Sequence, residues 1–306
     1  MSQIVWAEDA GFESVWLSEH HFTDDGYAPA VFPVLAAIGA RTERIRLGTA
    51  VCLAPLHHPL RLAEDAAAVD VMSNGRLELG LAPGYRVTEF NALGIPKRQR
   101  GRRTDETLEI LRAAWTGQEF DYHGEIFSLE AITVQPTPVS AESLIPIHIG
   151  GSSQASALRA GRYGCHFMPD VGTSKDLHDL YRRELVKHGF DSQPFEITVA
   201  GCVYLCDDER EGWNDVEAPL RYMNDRYTQW EADAGDDQTA LSGAEDDAQD
   251  LCIVGSPTKV INALRQIESD LAPDRFIFWG RLPGMPIEKA NRSLELFVDE
   301  VLPAFS

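Results

Sequence analysis

The amino-acid sequence predicts an α/β fold of the (β/α)8 TIM-barrel class. Three observations carry that expectation. Short apolar runs alternate with segments whose apolar residues recur at helical spacing, the pattern of repeated βα units. Runs such as Arg46–Leu53 (RLGTAVCL) are apolar without interruption, as strands buried on both faces of a parallel sheet are. The length of 306 residues suits one such barrel.

Ile4–Ala10 reads as a helix leading to Gly11, Ser14–Ser18 as a strand and Pro33–Thr42 as a helix. Arg46–Leu53 is a strand. Pro59–Met72 is a helix opened by proline, which a first turn tolerates. Asn74-Gly75 makes a turn before the strand Leu77–Ala82. Gly101–Trp115 is a long amphipathic helix ended by Gly117. The rhythm breaks near 119–136, where Phe120–Val134 reads as a hairpin around His123-Gly124. Pro146–Gly150 is a strand, Ser153–Gly161 a helix, Cys165–Met168 a strand and Lys175–His188 a helix. Glu196–Cys206 (EITVAGCVYLC) reads as one strand, and an acidic insertion near 225–250 as a solvated segment. Ser256–Leu271 is a helix, Arg275–Trp279 the last strand and Ile287–Val301 the final helix. Residues 1–306 thus read as one domain with seven strands, one short of a closed barrel. An open barrel exposes two strand edges, an aggregation hazard.

Hydrophobic residues make up 44% of the chain, too many for disorder. A formal net charge of −21 disfavours nucleic acid and anionic membranes as partners. No apolar run is long enough to cross a membrane, and no signal peptide opens the sequence. The five scattered cysteines read as reduced thiols of a cytoplasmic protein. No metal site is expected: Cys202 and Cys206 lack a second Cys/His pair, and nothing at metal-ligand spacing accompanies His57-His58, which read as structural.

The feature that points to chemistry is Ser14-Val15-Trp16-Leu17-Ser18-Glu19-His20-His21-Phe22, an apolar strand stopping at an acid and two histidines. Ligands of parallel α/β sheets bind at strand carboxyl ends. Adjacent residues diverge, so one histidine faces the barrel mouth and the other packs outward. Gly150-Gly151-Ser152-Ser153 follows a strand and opens a helix, whose free N–H groups suit a phosphate, with Ser152, Ser153 and Ser156 as further donors. A plain N-cap is the simpler reading of those serines. Arg102 and Arg103 are candidate phosphate counter-charges or part of a solvated face.

Beside Glu19-His20-His21-Phe22 stand Leu47-Gly48-Thr49-Ala50-Val51, His58-Pro59-Leu60-Arg61-Leu62-Ala63-Glu64-Asp65, Asp70-Val71-Met72-Ser73-Asn74-Gly75-Arg76 and Gly80-Leu81-Ala82-Pro83-Gly84-Tyr85, the last leading into Glu89-Phe90. Pro146-Ile147-His148-Ile149-Gly150-Gly151-Ser152-Ser153 and Val254-Gly255-Ser256-Pro257 follow. In this order the segments resemble the bacterial luciferase-like flavin monooxygenases over nearly the whole chain. In that family a strand precedes the first helix seen here, so the resemblance implies a barrel lacking its first strand.

The resemblance implies reduced FMN and O2, with oxygen adding at the flavin C4a position to give a C4a-peroxyflavin that oxidises a small organic substrate. It places the flavin ring near Ala50, Val51 and Ala82, with a cis peptide at Ala50-Val51. It places the phosphate at Gly150, Gly151, Ser152, Ser153 and Ser156, for which Arg103 is the candidate counter-charge from its place at the helix start. His20 becomes the catalytic histidine and Glu19 a residue that orients a neighbour. Pro83 stands where the family often carries a phosphate-binding arginine. A separate flavin reductase and a homodimer are implied as partners. An F420-dependent oxidoreductase and a non-catalytic luciferase-like subunit are the alternatives.

Overall fold

The computed structural model describes residues 1–139, 144–190, 194–232, 234 and 252–305. Helix α1 (Ser2–Asp9) precedes β1 (Ser14–Leu17). There follow α2 (Val31–Gly39), β2 (Arg46–Thr49), β3 (Cys52–Leu53), α3 (Pro59–Met72), β4 (Leu77–Ala82), α4 (Val87–Ala92) and α5 (Arg100–Ala114). The antiparallel hairpin β5 (Phe120–His123) and β6 (Ser128–Ile132) is the expected excursion. Then come β7 (Ile147–Gly150), α6 (Gln154–Arg162), β8 (His166–Met168), α7 (Lys175–Lys187), β9 (Thr198–Gly201), β10 (Val203–Leu205) and α8 (Glu209–Ala232). Finally come β11 (Ile253–Gly255), α9 (Pro257–Leu271), β12 (Arg275–Phe278) and α10 (Ile287–Leu296).

The parallel strands run β1-β2-β4-β7-β8, continue by the bridges Phe167–Ile197 and Asp170–Ala200 to β9, and end with β12 beside β9. Chain order equals spatial order, as helical crossovers between neighbouring parallel strands produce. No ladder among the described residues joins β1 to β12, so the array is not closed. It is curled: Arg275 of β12 donates to Glu78 of β4 at 2.7 Å and lies 5.9 Å from the Trp16 ring of β1.

Strand alternation sorts the side chains. Leu77, Leu79 and Leu81 are fully buried in the main apolar cluster with Leu62, Ala66, Leu108 and Leu111 of α3 and α5. Glu78, between two of these leucines, turns inward. It meets Arg46 of β2, His148 of β7 at 2.9 Å and Arg275. His166 of β8 stacks on His148 with centroids 4.5 Å apart.

That inward layer has a pH consequence. Burial, helped by the positive charge around it, pushes the His166 imidazole from 6.5 down to about 3. Glu78 is buried too, but its bonds to His148 and the two arginines hold it below the usual carboxylate range. An unfolded chain takes up the His166 proton near pH 6.5, whereas the folded chain refuses it until about pH 3. Stability is therefore full above pH 6.5 and falls across that window, by about 1.4 kcal/mol per pH unit for each proton bound only by the unfolded state. His166→Asn retains an acceptor for the Glu196 N–H, which His166 Nδ1 takes at 2.9 Å. Its Tm should fall less steeply than wild type between pH 6.5 and 4.5; identical slopes would count against His166 as the titrating group.

Several elements differ from the sequence expectation. The strand expected over Arg46–Leu53 is two strands, divided at the cis peptide Ala50-Val51. The strand expected over Glu196–Cys206 is also two. β9 pairs with β12, β10 with β11, and Cys202 between them belongs to neither. Strand β11 and helix α4 carry too few residues for a periodicity signal. The helix expected to begin at Pro33 begins at Val31, because proline at a third helical position still lies in the first turn. The last helix ends at Leu296 and passes into a wider turn over Phe297–Val301. Most of the expected acidic insertion lies outside the described residues, although 225–232 complete α8. All five cysteines are free, and no helix among the described residues is long and apolar enough to cross a membrane.

Candidate active site at the strand carboxyl ends

The expected site residues collect where β1, the β2–β3 junction, β4 and β7 end. His20, 7% exposed, follows β1. Its Nδ1 donates to Glu89 Oε1 of α4 at 3.1 Å. The same oxygen accepts the His21 N–H at 2.9 Å and Arg86 Nη1 at 2.8 Å. Arg86 also donates to His21 O at 2.8 Å. A carboxylate only accepts, so Nδ1 carries a ring proton. Buried Glu89 is held below its ordinary value by the bonds from His20 and His21 and by the Arg86 charge.

Aromatic rings enclose the other side of His20. Trp230 lies 4.8 Å away, Tyr27 5.0 Å, Tyr227 5.9 Å and Tyr85 6.2 Å between centroids. The Tyr27 and Tyr227 hydroxyls are 3.0 Å apart, and Arg86 stacks on Trp230 at 4.1 Å. Trp230 and Tyr227 come from α8, which the loop after β1 grips through Arg226–Asp24 at 2.7 Å and Tyr222–Asp25 at 2.7 Å. The Tyr85 hydroxyl and Glu89 Oε2 are buried without a hydrogen-bond partner. Burial, reinforced by nearby carboxylates, drives Tyr85 far above the usual phenol range, so it stands as a neutral donor.

Glu19, 2% exposed, turns to a different set of partners. Oε1 accepts from His21 Nε2 at 2.9 Å and His57 Nε2 at 2.8 Å, and Oε2 accepts the Leu53 N–H at 2.6 Å. Burial alone would raise this carboxyl, but the two imidazole bonds hold it well below its ordinary value, and in return they raise His21. Glu19 therefore orients His21 rather than His20. His58, next to His57, caps α3, with Nδ1 accepting from Leu60 N at 3.3 Å.

The Ala50-Val51 peptide is cis, and Ser18 Oγ donates to Ala50 O at 2.8 Å. Val51 packs where Cβ atoms would stand on Gly80 and Gly150, at 3.4 Å and 2.5 Å. Ala82 ends β4, paired in register with Leu53. At the start of α6, Ser153 Oγ accepts from Ser156 N at 3.2 Å and lies 3.0 Å from Ser156 Oγ. Gly151 has φ +118°, and a Cβ there would stand 2.7 Å from Ser156 Oγ. The glycine thus clears the approach to the first-turn N–H groups, which no helix satisfies internally. Ser152 differs from expectation: its hydroxyl donates to Asp170 at 2.8 Å, so only its backbone N–H remains for an anion. Arg103 donates to Pro55 O at 3.2 Å and stacks on Phe127, while Arg102 pairs with Glu125 at 2.7 Å. These bonds tie both arginines to neighbours of α5.

Glu89, Tyr85, Tyr27, Tyr227, Trp230 and Arg86 received no role from the sequence. Glu89 and Tyr85 do fall in the run after β4 that carries the family resemblance. The α8 aromatics left no signal, because a helix gives no indication of which distant strand end it covers.

A parallel α/β array with a buried histidine, a serine-lined helix start and unpartnered polar groups gathered at one end defines a ligand site of the (β/α) barrel class. A family model described as luciferase-like monooxygenase matches residues 1–273, and the chain belongs to that family. The oxygenase component of a flavin-dependent trigonelline monooxygenase from Acinetobacter baylyi is 28% identical, over 98% of this chain and 87% of that protein. An F420-dependent glucose-6-phosphate dehydrogenase from Microbacterium testaceum is 36% identical, over 57% of this chain and 53% of that one. The crystal structure of monooxygenase RslO1 from Streptomyces bottropensis superposes with TM-score 0.87 at 27% identity, covering 100% of this chain and 92% of that chain.

Proposed function

We propose that this protein is the oxygenase component of a two-component system, oxidising a small organic substrate with O2 and reduced FMN supplied by a separate reductase. The observation that carries this reading is His20, fixed by Glu89 on one side and facing an aromatic enclosure on the other. The residues present fit a flavin. The Gly151 cleft opens onto the start of α6, where the Ser153 and Ser156 hydroxyls and free N–H groups would hold the phosphate. Ala50, Val51 and Ala82 would form the apolar floor of the ring site.

When bound, reduced FMN supplies the electrons that activate dioxygen. The chain supplies position, dryness and proton control. The rings of Tyr27, Tyr227 and Trp230 keep water from His20. Glu89 keeps the proton on Nδ1, so Nε2 can take a proton from the reacting centre as a general base and return it. Tyr85 offers a donor hydroxyl to substrate oxygen. Glu19 acts one step back, holding His21 and the Leu53 backbone.

FMN, riboflavin and F420 binding to the purified protein tests this reading. FMN should bind, and riboflavin, lacking the phosphate, more weakly. The double variant Ser153→Ala/Ser156→Ala should lose about tenfold or more in FMN affinity, since hydrogen bonds to a charged group contribute about 1.5–3 kcal/mol each. Its riboflavin affinity should hold. F420 bound in preference to FMN would replace oxygen chemistry with hydride transfer. Absence of all flavin binding would leave a non-catalytic member of the family.

A further inference from the structure

Glu19 follows β1, Cys52 stands in β3 and His57 just beyond it, and one donor atom of each lies within 4.8 Å of the others. His21 stands outside that group but shares Glu19 Oε1 with His57, at 2.9 Å against 2.8 Å. None of the four touches the aromatic enclosure through which His20 is proposed to work. We propose that Glu19, Cys52 and His57 hold a divalent cation of the zinc class, with His21, bonded to the same Glu19 oxygen, drawn in as the fourth ligand.

The donor set suits that ion, with two imidazole nitrogens, one thiolate sulfur and one carboxylate oxygen. The charges balance as well. Binding releases the Cys52 proton to solvent, and the resulting thiolate and the Glu19 carboxylate together neutralise a 2+ ion among neutral imidazoles. That matters because the Cys52 and Glu19 side chains are fully buried. The two Glu19–imidazole distances match a contracted, metal-free arrangement, and His21 closes toward Cys52 and His57 when the ion binds. Metal bonds of about 2.0–2.1 Å place tetrahedral donors roughly 3.4 Å apart, so each imidazole needs to open by only about half an ångström from Glu19. The outer support is in place, because the Leu53 N–H fixes Oε2 at 2.6 Å and leaves Oε1 to the ion. The His21 and His57 side chains are 17% and 24% exposed, which gives an entry path.

The alternative is that Glu19 is only a buried hydrogen-bond hub. Cobalt titration of the untagged, reduced, chelator-treated full chain separates the two. One equivalent of Co2+ should give the visible bands of tetrahedral cobalt together with thiolate-to-cobalt charge transfer. Zn2+ should abolish both at one equivalent. Cys52→Ser should lose the charge-transfer band, and His57→Ala should weaken binding at least as much as loss of an outer-shell partner does, about 10–100-fold. His123→Ala, on the exposed hairpin, should change neither. Circular dichroism of the metal-free variants confirms that each is folded. Folded wild type without cobalt bands, or bands unchanged in both Cys52→Ser and His57→Ala, would overturn the site whatever the flavin result.

Discussion

His20→Ala is expected to lower kcat by about 10²–10⁴-fold, the usual contribution of a positioned acid–base group, while FMN affinity stays near wild type. The structure explains why the two effects should separate. Glu89 Oε1 keeps the His21 N–H and Arg86 Nη1 when His20 is removed, so the carboxylate remains partnered in the interior. The serines of the proposed phosphate cradle stand at the start of α6 and share no hydrogen bond with His20. Turnover is measured on a substrate found by screening with reduced FMN, and binding by flavin titration. Loss of binding and fold together would show that His20 is structural. Glu89→Gln should give a smaller fall in kcat, because the amide can still accept from Nδ1 but lacks the charge that steadies a protonated ring. Equal losses in the two variants would assign the whole effect to Glu89.

Gly80→Ala is expected to be strongly destabilising. Its Cβ would stand 1.9 Å from the carbonyl oxygen of Thr49, a backbone atom that cannot rotate away. Thr49 in turn donates to Gly80 O at 2.7 Å, which draws the two strands together at that point. The flanking Leu47, Leu79 and Leu81 are fully buried, so neither strand can shift without opening the core. The cost should reach or exceed the roughly 3 kcal/mol upper end of ordinary overpacking, or roughly 5 °C or more in Tm for a chain this size. The proposed flavin floor at Ala50 and Val51 should go with it. Gly172→Ala provides the comparison, since no atom lies within 4 Å of its Cβ position. A Gly80→Ala protein as stable as Gly172→Ala would show that the β2–β4 contact is looser than these distances require.

Much of the fold was legible in the sequence because its signals are local. Continuous apolar runs marked β1, β2, β4, β7 and β12, and the seven expected strands follow the order of the observed parallel array. Pro59 after His58, and the serine before α6, marked helix starts that the structure places within a residue. Shifted boundaries came from features that act within one or two residues, such as the break at Ala50-Val51 and the change of partner strand at Cys202. Sequence and family resemblance also brought His20 and the serine helix start to notice, because each stands directly after a strand.

The partners of those residues were not legible. His20 meets Glu89 across 69 positions and Glu19 meets His57 across 38, distances over which side-chain spacing carries no information. The sequence placed two histidines at a strand end. Only the tertiary structure decided that one is held by Glu89 beneath the aromatics of α8, while the other shares Glu19 with His57. The physical reason is that strand alternation sends neighbouring side chains to opposite faces, and what each face meets depends on the elements packed there.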